Sequence, residues 1–133
     1  LSSFIQNFKL NDSMSNFLTL EDTAYMYDLV MRLFKIYKTK FNLNFREIKY
    51  ENIVTNFNSE INSLLKFLEI PWNDSVLNYQ KTANERERIF TPSYDQVIKP
   101  LYTKSIGRWT KYKSKFSKVY PTLEPWIKEF NYE

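Results

Sequence analysis

The segment Asn44-Phe-Arg-Glu-Ile-Lys-Tyr50 decides the predicted fold, because it separates two helical patterns without following the helical period itself. Phe45, Ile48 and Tyr50 mix with charged residues over a short run, so we predict a strand that ends near Tyr50. A helix–strand–helix order is typical of a parallel α/β sheet. A lone strand leaves its backbone N–H and C=O groups unpaired, which is unfavourable. We therefore expect its partner strands upstream of Leu1, and the chain to be a fragment of a larger α/β domain.

Helical spacing predicts the remaining elements. A long helix begins after a cap at Asp22 or Thr23 and reaches about Lys40, with basic residues in its last turns. Its predicted buried stripe consists of Met26, Leu29, Val30, Leu33, Phe34 and Tyr37. Further helices are predicted at residues 1–10, from Asn58 until Pro71, from Asp74 to about Thr82, from Ser105 to about Phe116 and around 123–130, with a short turn from Thr91 or Ser93 to Pro100.

The composition describes one domain with a large aromatic core. The chain has 133 residues, of which 43% are hydrophobic and 18% aromatic, and a net charge of +4 that favours anionic partners. The absence of Cys and His excludes disulfides and thiolate metal sites, and removes the commonest metal ligand and general base. No apolar run approaches the roughly 20 residues of a membrane helix. We expect a cytoplasmic protein that binds neither a membrane nor a metal.

The stretch Thr91-Pro-Ser-Tyr-Asp-Gln-Val-Ile-Lys-Pro-Leu-Tyr-Thr-Lys-Ser-Ile-Gly-Arg-Trp109 is the main candidate site. It gathers hydroxyl, basic and aromatic side chains around the only glycine of the chain. Hydroxyl and basic groups can hold a phosphate-type anion, and flat rings can hold a base. The alternatives are that the hydroxyls cap a helix and that the basic groups form a solvated face. Gly107, inside an amphipathic run, indicates close backbone approach.

Tyr50 is a second candidate. A tyrosine at the carboxyl end of a parallel strand lies where open α/β sheets bind ligands, so its ring could stack on a base or its hydroxyl could bond one. Packing against the adjacent helix is the alternative, and spacing alone favours it. Trp109, Tyr112 and Trp126 are spaced as core residues.

Four blocks of the chain, in order, resemble the sulfotransferases that use 3′-phosphoadenosine 5′-phosphosulfate (PAPS). Lys-Tyr50-Glu51-Asn-Ile and Leu-Leu-Lys-Phe67-Leu-Glu-Ile-Pro71-Trp72 are similar to the family's "YEDL … FLGIPW" block. Residues 91–100 and the following Ile-Gly107-Arg-Trp109 are similar to its "T-x-S … QV-x-x-P … GRW" block. Leu1-Ser2-Ser-Phe-Ile-Gln resembles the segment after the family's "R-D-P" strand. Within this family the chain looks most like the bacterial sulfotransferases often fused to tetratricopeptide repeats, and it is also similar to the protein-tyrosine sulfotransferases.

The resemblance implies a role for each matched residue. Ser2 corresponds to a serine that binds the 3′-phosphate, and Tyr50 to the tyrosine that contacts adenine. Ser93 corresponds to the serine near the transferring sulfuryl group, which makes it the candidate catalytic residue. Further nucleotide contacts fall on Thr91, Tyr94, Lys104, Ser105, Gly107 and Arg108. Tyr102-Thr103-Lys104 stands where cytosolic members carry Arg-Lys-Gly, so either Lys104 or Arg108 reaches the 3′-phosphate.

The resemblance also implies what the chain lacks. The "P-R-S-G-T-T" type loop for the 5′-phosphosulfate, the arginine that partners Ser2, and the catalytic base are not present. Residues 1–133 would then form the C-terminal, mostly helical half of a P-loop-like parallel-sheet sulfotransferase domain, inactive without its N-terminal half. The whole enzyme would transfer a sulfuryl group from PAPS to a hydroxyl or amine and release PAP. Its acceptor would be a protein tyrosine, a glycan or a small molecule, not a nucleic acid.

Two other interpretations remain open. The chain could be a non-enzymatic helical module whose basic, aromatic face binds a protein or a nucleic acid. It could also be a degenerate copy that keeps the shape of the fold without its chemistry. The basic residues are spread over several predicted helices, which argues against a dense nucleic-acid-binding stripe.

Overall fold

The computed structural model describes residues 1–6, 8–85 and 98–132. Within these ranges every regular element is a helix, so the predicted α/β class with one strand is wrong for the described chain. Residues 42–49 form no regular structure, and Tyr50 begins a helix instead of ending a strand. A strand exists only as part of a hydrogen-bonded ladder, and the described residues offer this segment no ladder partner.

The chain divides into two compact units. Unit 1 combines residues 1–43 with residues from Arg108 onward, and unit 2 contains Asn44–Gly107. The α-helices of unit 1 are α1 (Leu20–Lys40) and α5 (Tyr120–Glu129), accompanied by 3-10 helices at Met14–Phe17 and Arg108–Phe116. The α-helices of unit 2 are α2 (Tyr50–Thr55), α3 (Phe57–Phe67) and α4 (Tyr79–Glu85), with 3-10 helices at Asp74–Asn78 and Thr103–Ser105.

The long helix α1 is confirmed, but it begins earlier than the sequence predicts. Thr19 is its N-cap: the Thr19 hydroxyl oxygen accepts a hydrogen bond from the Asp22 backbone N–H at 3.0 Å and donates to the Asp22 carboxylate at 2.7 Å. Asp22 is therefore not the N-cap but lies in the first turn of α1, where its negative charge complements the helix dipole. The helix ends at Lys40, with Phe41 as C-cap.

Unit 1 contains the core of the molecule. Ala24, Phe116 and Val119 form a buried cluster, against which Leu1, Leu20 and Leu123 pack. Residues 2–6 form turns and bends and residues 8–10 form no regular structure, where a helix was predicted, and Ile5 is 44% exposed.

One buried contact joins α1 to α5. Trp126 is 5% exposed, and its indole N–H donates to Asp28 Oδ1 at 2.9 Å. Arg32 Nε donates to the other oxygen of the same carboxylate at 2.7 Å. Tyr27 meets the Trp126 ring edge-on, with ring centroids 6.5 Å apart, and Lys35 Nζ lies 4.9 Å from the centroid of that ring. The buried carboxylate is thus paired with a charge and hydrogen-bonded on both oxygens, as burial requires.

The buried face of α1 differs from the predicted stripe. Thr23, Ala24 and Asp28 are its buried residues, whereas Leu29, Val30, Leu33 and Tyr37 are between 43% and 48% exposed. The period of the stripe is helical, but α5 covers another side of the helix. Most of the apolar side chains of α1 therefore face outward.

The helices of unit 2 are held by contacts at their ends. Phe57 at the start of α3 lies against the ring of Tyr79 at the start of α4, with centroids 6.4 Å apart. The Asn73 side chain accepts from the Ser75 backbone N–H at 2.8 Å and caps the 3-10 helix Asp74–Asn78. The helix predicted from Asp74 is thus present, although its first part is a 3-10 helix.

The helix α3 ends before Pro71, through a left-handed residue. The Ile70 N–H donates to Leu65 O at 2.9 Å and the Glu69 N–H to Lys66 O at 3.1 Å, with Glu69 at a φ of 57°. This pair of bonds is a Schellman motif, in which glycine is the usual left-handed residue. Glu69 therefore strains this cap, because its β-carbon disfavours the left-handed region that glycine adopts freely.

The helix α5 ends in the same way in unit 1. The Tyr132 N–H donates to Ile127 O at 3.0 Å, and Asn131 adopts a φ of 53°. Asparagine tolerates this conformation better than glutamate does.

No helix in the described part of the chain combines the length and the apolar character that crossing a membrane demands.

Candidate functional site

A tyrosine hydroxyl in unit 2 joins two of the sequence blocks singled out above. The Tyr50 hydroxyl donates a hydrogen bond to the Tyr102 carbonyl oxygen at 2.8 Å, across 52 residues of sequence. Tyr102 is the N-cap of the 3-10 helix Thr103–Ser105, which contains Lys104 and Ser105. The bond therefore holds the start of α2 beside the segment predicted to bind a phosphate.

Tyr50 stays partly accessible in this arrangement, because the residue is 40% exposed. Its hydroxyl proton is already donated to Tyr102, which leaves the ring face and the oxygen lone pairs for a ligand.

Gly107 ends the same segment. The Ile106 N–H donates to Thr103 O at 2.9 Å and closes the 3-10 helix before the turn at Gly107. Gly107 adopts a φ of 61°, and a Cβ placed there would meet nothing within 4 Å. The glycine is therefore required by its left-handed backbone and not by crowding, and the predicted close approach finds no protein atom in the described residues.

A second tyrosine forms hydrogen bonds with the backbone just before this segment. The Tyr79 hydroxyl accepts from the Leu101 N–H at 2.9 Å and donates to Lys99 O at 3.3 Å. These two groups lie on either side of Pro100, which has no N–H of its own. One phenol oxygen thus fixes the backbone on both sides of the proline to the start of α4. Neither the contact of Tyr79 nor the role of the Tyr102 carbonyl was predicted from the sequence, and the tyrosine-rich composition was the only signal for them.

The segment is electropositive. Lys99 and Lys104 are exposed, and no ion pair involves either among the described residues. Described residues 98–123 contain no Asp or Glu. A ligand that carries phosphate groups would meet uncompensated positive charge here.

Of the remaining predicted site residues, Ser2 and Arg108 lie among the described residues, and both belong to unit 1. Thr91, Ser93 and Tyr94 lie outside the described residues, as does the predicted turn up to residue 97. Ser2 lies in an exposed turn of unit 1. Arg108 follows Gly107 in sequence and begins the 3-10 helix Arg108–Phe116 of unit 1, where an α-helix was predicted. In the described part of the chain, no group of three or more acidic residues is placed to hold a metal ion.

The predicted core aromatics separate into three environments. Trp126 is buried as predicted, Trp109 is half-buried, and Tyr112 is 40% exposed. The prediction that Tyr112 is a core residue is therefore wrong. The 3-10 helix that contains Tyr112 has about three residues per turn, so the α-helical spacing expected for this segment does not hold.

Comparison with other proteins finds partial similarity to sulfotransferases. The protein-tyrosine sulfotransferase of Drosophila melanogaster is 33% identical over 66 residues, which cover 47% of this chain and 13% of that protein. Human protein-tyrosine sulfotransferase 1 is 39% identical over 51 residues, or 35% of this chain and 14% of that protein. An uncharacterized protein of Aquifex aeolicus is 32% identical over 83 residues, or 62% of this chain and 10% of that protein.

These matches identify a sulfotransferase-like region within the chain. The matched segments amount to between about a tenth and a fifth of the length of these curated relatives. No family model matches the chain, and no solved structure matches it.

Proposed function

We propose that residues 1–133 form the C-terminal part of a PAPS-dependent sulfotransferase domain and contribute to binding of the nucleotide donor. The hydrogen bond from Tyr50 to the Tyr102 carbonyl carries this proposal. It joins the residue expected to contact adenine to the segment expected to bind the 3′-phosphate, although the two lie far apart in sequence. The similarity to protein-tyrosine sulfotransferases supports the same assignment.

The donor would be held by two kinds of contact in unit 2. The exposed ring of Tyr50 would stack on the adenine, as aromatic side chains do with nucleobases. Lys104 and the Ser105 hydroxyl would bind the 3′-phosphate through charge-assisted hydrogen bonds. Gly107 would keep the turn open for this anion. These residues touch the nucleotide and position it, but do not react with it.

The remaining proposed contacts come from the resemblance. Ser2 corresponds to a serine that binds the 3′-phosphate, and Arg108 is the alternative to Lys104 for that contact. Thr91 and Tyr94 would contact the nucleotide, and Ser93 would stabilise the transferring sulfuryl group. The reaction is in-line transfer to an acceptor hydroxyl or amine with release of PAP. Positioning and charge stabilisation dominate such transfers. The catalytic base would come from a segment outside these residues, as would the loop for the 5′-phosphosulfate.

Binding of adenosine 3′,5′-bisphosphate tests the donor site. Isothermal titration of the chain should detect binding, which Tyr50→Ala should weaken about tenfold, because stacking contributes roughly 1–3 kcal/mol per base. Tyr50→Phe should keep most of the affinity, since it keeps the ring. Tyr25→Ala removes an exposed tyrosine of α1 in unit 1 and should change nothing.

The phosphate contact is tested by a pair of lysine variants. Lys104→Ala should weaken the bisphosphate about tenfold and have little effect on adenosine 5′-monophosphate, which has no 3′-phosphate. Lys66→Ala, in the last turn of α3, is the matched control. Absence of bisphosphate binding at millimolar concentration, or equal loss with both lysine variants, would contradict the proposed site.

A second candidate function has its own supporting observation. Arg108, Lys111, Lys113 and Lys115 all lie exposed on one 3-10 helix, which concentrates positive charge more than the sequence predicted. Such a segment, with the exposed ring of Tyr112 among its lysines, suits single-stranded nucleic acid. Salt-dependent binding of random single-stranded DNA, lost in Lys111→Ala/Lys115→Ala and unaffected by the bisphosphate, would favour this function.

A further inference from the structure

The long helix α1 has two different faces. Ala24 and Asp28 are buried within unit 1, and the Asp28 carboxylate is bonded to Trp126 of α5. The opposite side exposes Leu29, Leu33 and Ile36 at 43%, 47% and 52%. Exposed apolar side chains in one continuous row indicate a surface that contacts another molecule. This observation does not depend on the proposed sulfotransferase function.

The row has the spacing of a helix-pairing seam. Met26, Leu29, Leu33 and Ile36 follow one another at steps of three, four and three residues. These are the a and d positions of a heptad repeat, which pair by inserting side chains between those of a facing helix. Val30 and Tyr37 flank the row, are also exposed, and widen its apolar area.

The charges at the two ends of the row determine the orientation. Asp22 lies four residues before Met26, and Lys40 lies four residues after Ile36. Both side chains are exposed. The row therefore has the same spacing in both directions, with a negative charge at one end and a positive charge at the other. A parallel copy would oppose like charges, whereas an antiparallel copy opposes Asp22 to Lys40 twice.

We propose that α1 pairs antiparallel with α1 of a second copy of this chain. Met26 then faces Ile36 of the second copy, Leu29 faces Leu33, and Asp22 faces Lys40. A twofold axis generates each of these contacts twice, as in most homodimers. The antiparallel order also places the negative end of each helix dipole near the positive end of the other. The Asp28–Trp126 contact stays on the side of α1 away from the seam.

The mass of the chain in solution tests the pairing. Sedimentation of the 133-residue chain should give a dimer of the 16.2 kDa chain at micromolar concentration. Leu33→Glu should raise the dimer dissociation constant about a hundredfold or more, because it removes two apolar contacts per dimer. Leu77→Glu is the matched control: Leu77 is 48% exposed but lies in unit 2. Far-UV circular dichroism checks that each variant keeps its helices.

The orientation is tested by disulfide cross-linking, for which the chain is suited because it contains no cysteine. A mixture of Met26→Cys and Ile36→Cys chains should cross-link on oxidation, while neither variant should cross-link with itself. Self-linking of both single variants would indicate a parallel pair and overturn the proposal. A chain that stays monomeric up to about 100 µM, or a dimer that persists in Leu33→Glu, would also overturn it.

Discussion

The two units of the molecule differ in how they are held together. Every buried residue among those described belongs to unit 1, where Ala24, Phe116, Val119 and Trp126 exclude water. Unit 2 contains no described residue that is fully buried, and relies on helix caps, half-buried side chains and tyrosine hydroxyls. Hydrophobic burial is the main stabilising contribution to folding, so unit 1 should resist unfolding more than unit 2. The candidate donor site thus lies in the less stable unit, which bound nucleotide would stabilise.

The largest expected effect is at Trp126. Trp126→Ala should lower the free energy of unfolding by about 3–5 kcal/mol, because it empties a buried aromatic site and leaves Asp28 without one of its donors. Urea denaturation followed by circular dichroism measures the loss. Trp72→Ala is the comparison in unit 2, where Trp72 is half-buried and its N–H bonds the Asp74 carboxylate. A loss at Trp72 as large as at Trp126 would contradict the difference between the units.

The Asp28 carboxylate should make unit 1 sensitive to acid. The hydrogen bond from Arg32 lowers the pKa of Asp28 most, and the Trp126 bond and the Arg32 charge act in the same direction against burial. Because the pKa of Asp28 is lower in the folded chain than in the unfolded chain, ionised Asp28 stabilises the fold. This contribution is complete above the unfolded pKa of about 3.9 and is lost as the pH falls through the folded pKa.

Asp28→Asn is therefore expected to lower the free energy of unfolding by about 2 kcal/mol at neutral pH and to flatten its decline below about pH 4. Urea denaturation at several pH values measures both effects. Asp12→Asn, at an exposed turn, is the control and should keep the wild-type acid response. Equal acid responses of the Asp28→Asn variant and the wild type would exclude this role.

A smaller effect is expected at Tyr79 in unit 2. Tyr79→Phe keeps the ring against Phe57 but removes both hydrogen bonds around Pro100, for a loss of about 1 kcal/mol. Hydrogen exchange should quicken at the Leu101 amide and leave the α1 amides of unit 1 unchanged. Unchanged exchange at Leu101 would mean that the hydroxyl does not hold this backbone.

The smallest effect compares the two left-handed helix caps. Glu69→Gly should raise the free energy of unfolding by about 0.5–1 kcal/mol, because glycine adopts a φ near 57° without steric penalty. Asn131→Gly should give less, since asparagine already tolerates this region. Thermal unfolding of both variants measures the difference, and a larger gain at Asn131 would contradict the explanation.

Helices with a clear period were predictable from the sequence, and the segment between them was not. The helical spacing of the apolar residues between Met26 and Tyr37 predicted α1, and Pro71 predicted that α3 ends before it. The side of α1 that is buried could not be predicted, because contacts with α5 determine that Asp28 and Ala24 are the residues shielded from water. The alternation in residues 44–50 suggested a strand, but strand formation depends on a hydrogen-bonding partner that a local pattern cannot supply.

The candidate site was predictable only in part. Tyr50, Lys104, Ser105 and Gly107 were proposed from residue type and resemblance, and unit 2 contains all four. The link between them was not predictable, because a tyrosine hydroxyl bonded to a carbonyl 52 residues away has no sequence signature. The reason for Gly107 was also misjudged: the backbone conformation, and not a close neighbour, requires glycine.

The tryptophans give each unit its own spectroscopic reporter. The three indoles divide unevenly: Trp72 lies in unit 2, while Trp109 and the buried Trp126 lie in unit 1. Trp126, enclosed by Asp28, Tyr27 and Lys35, should shift its fluorescence strongly to the red when water reaches it, whereas the half-exposed Trp72 should shift little. Emission from variants that lack one or the other would therefore reveal whether the two units melt together or one after the other.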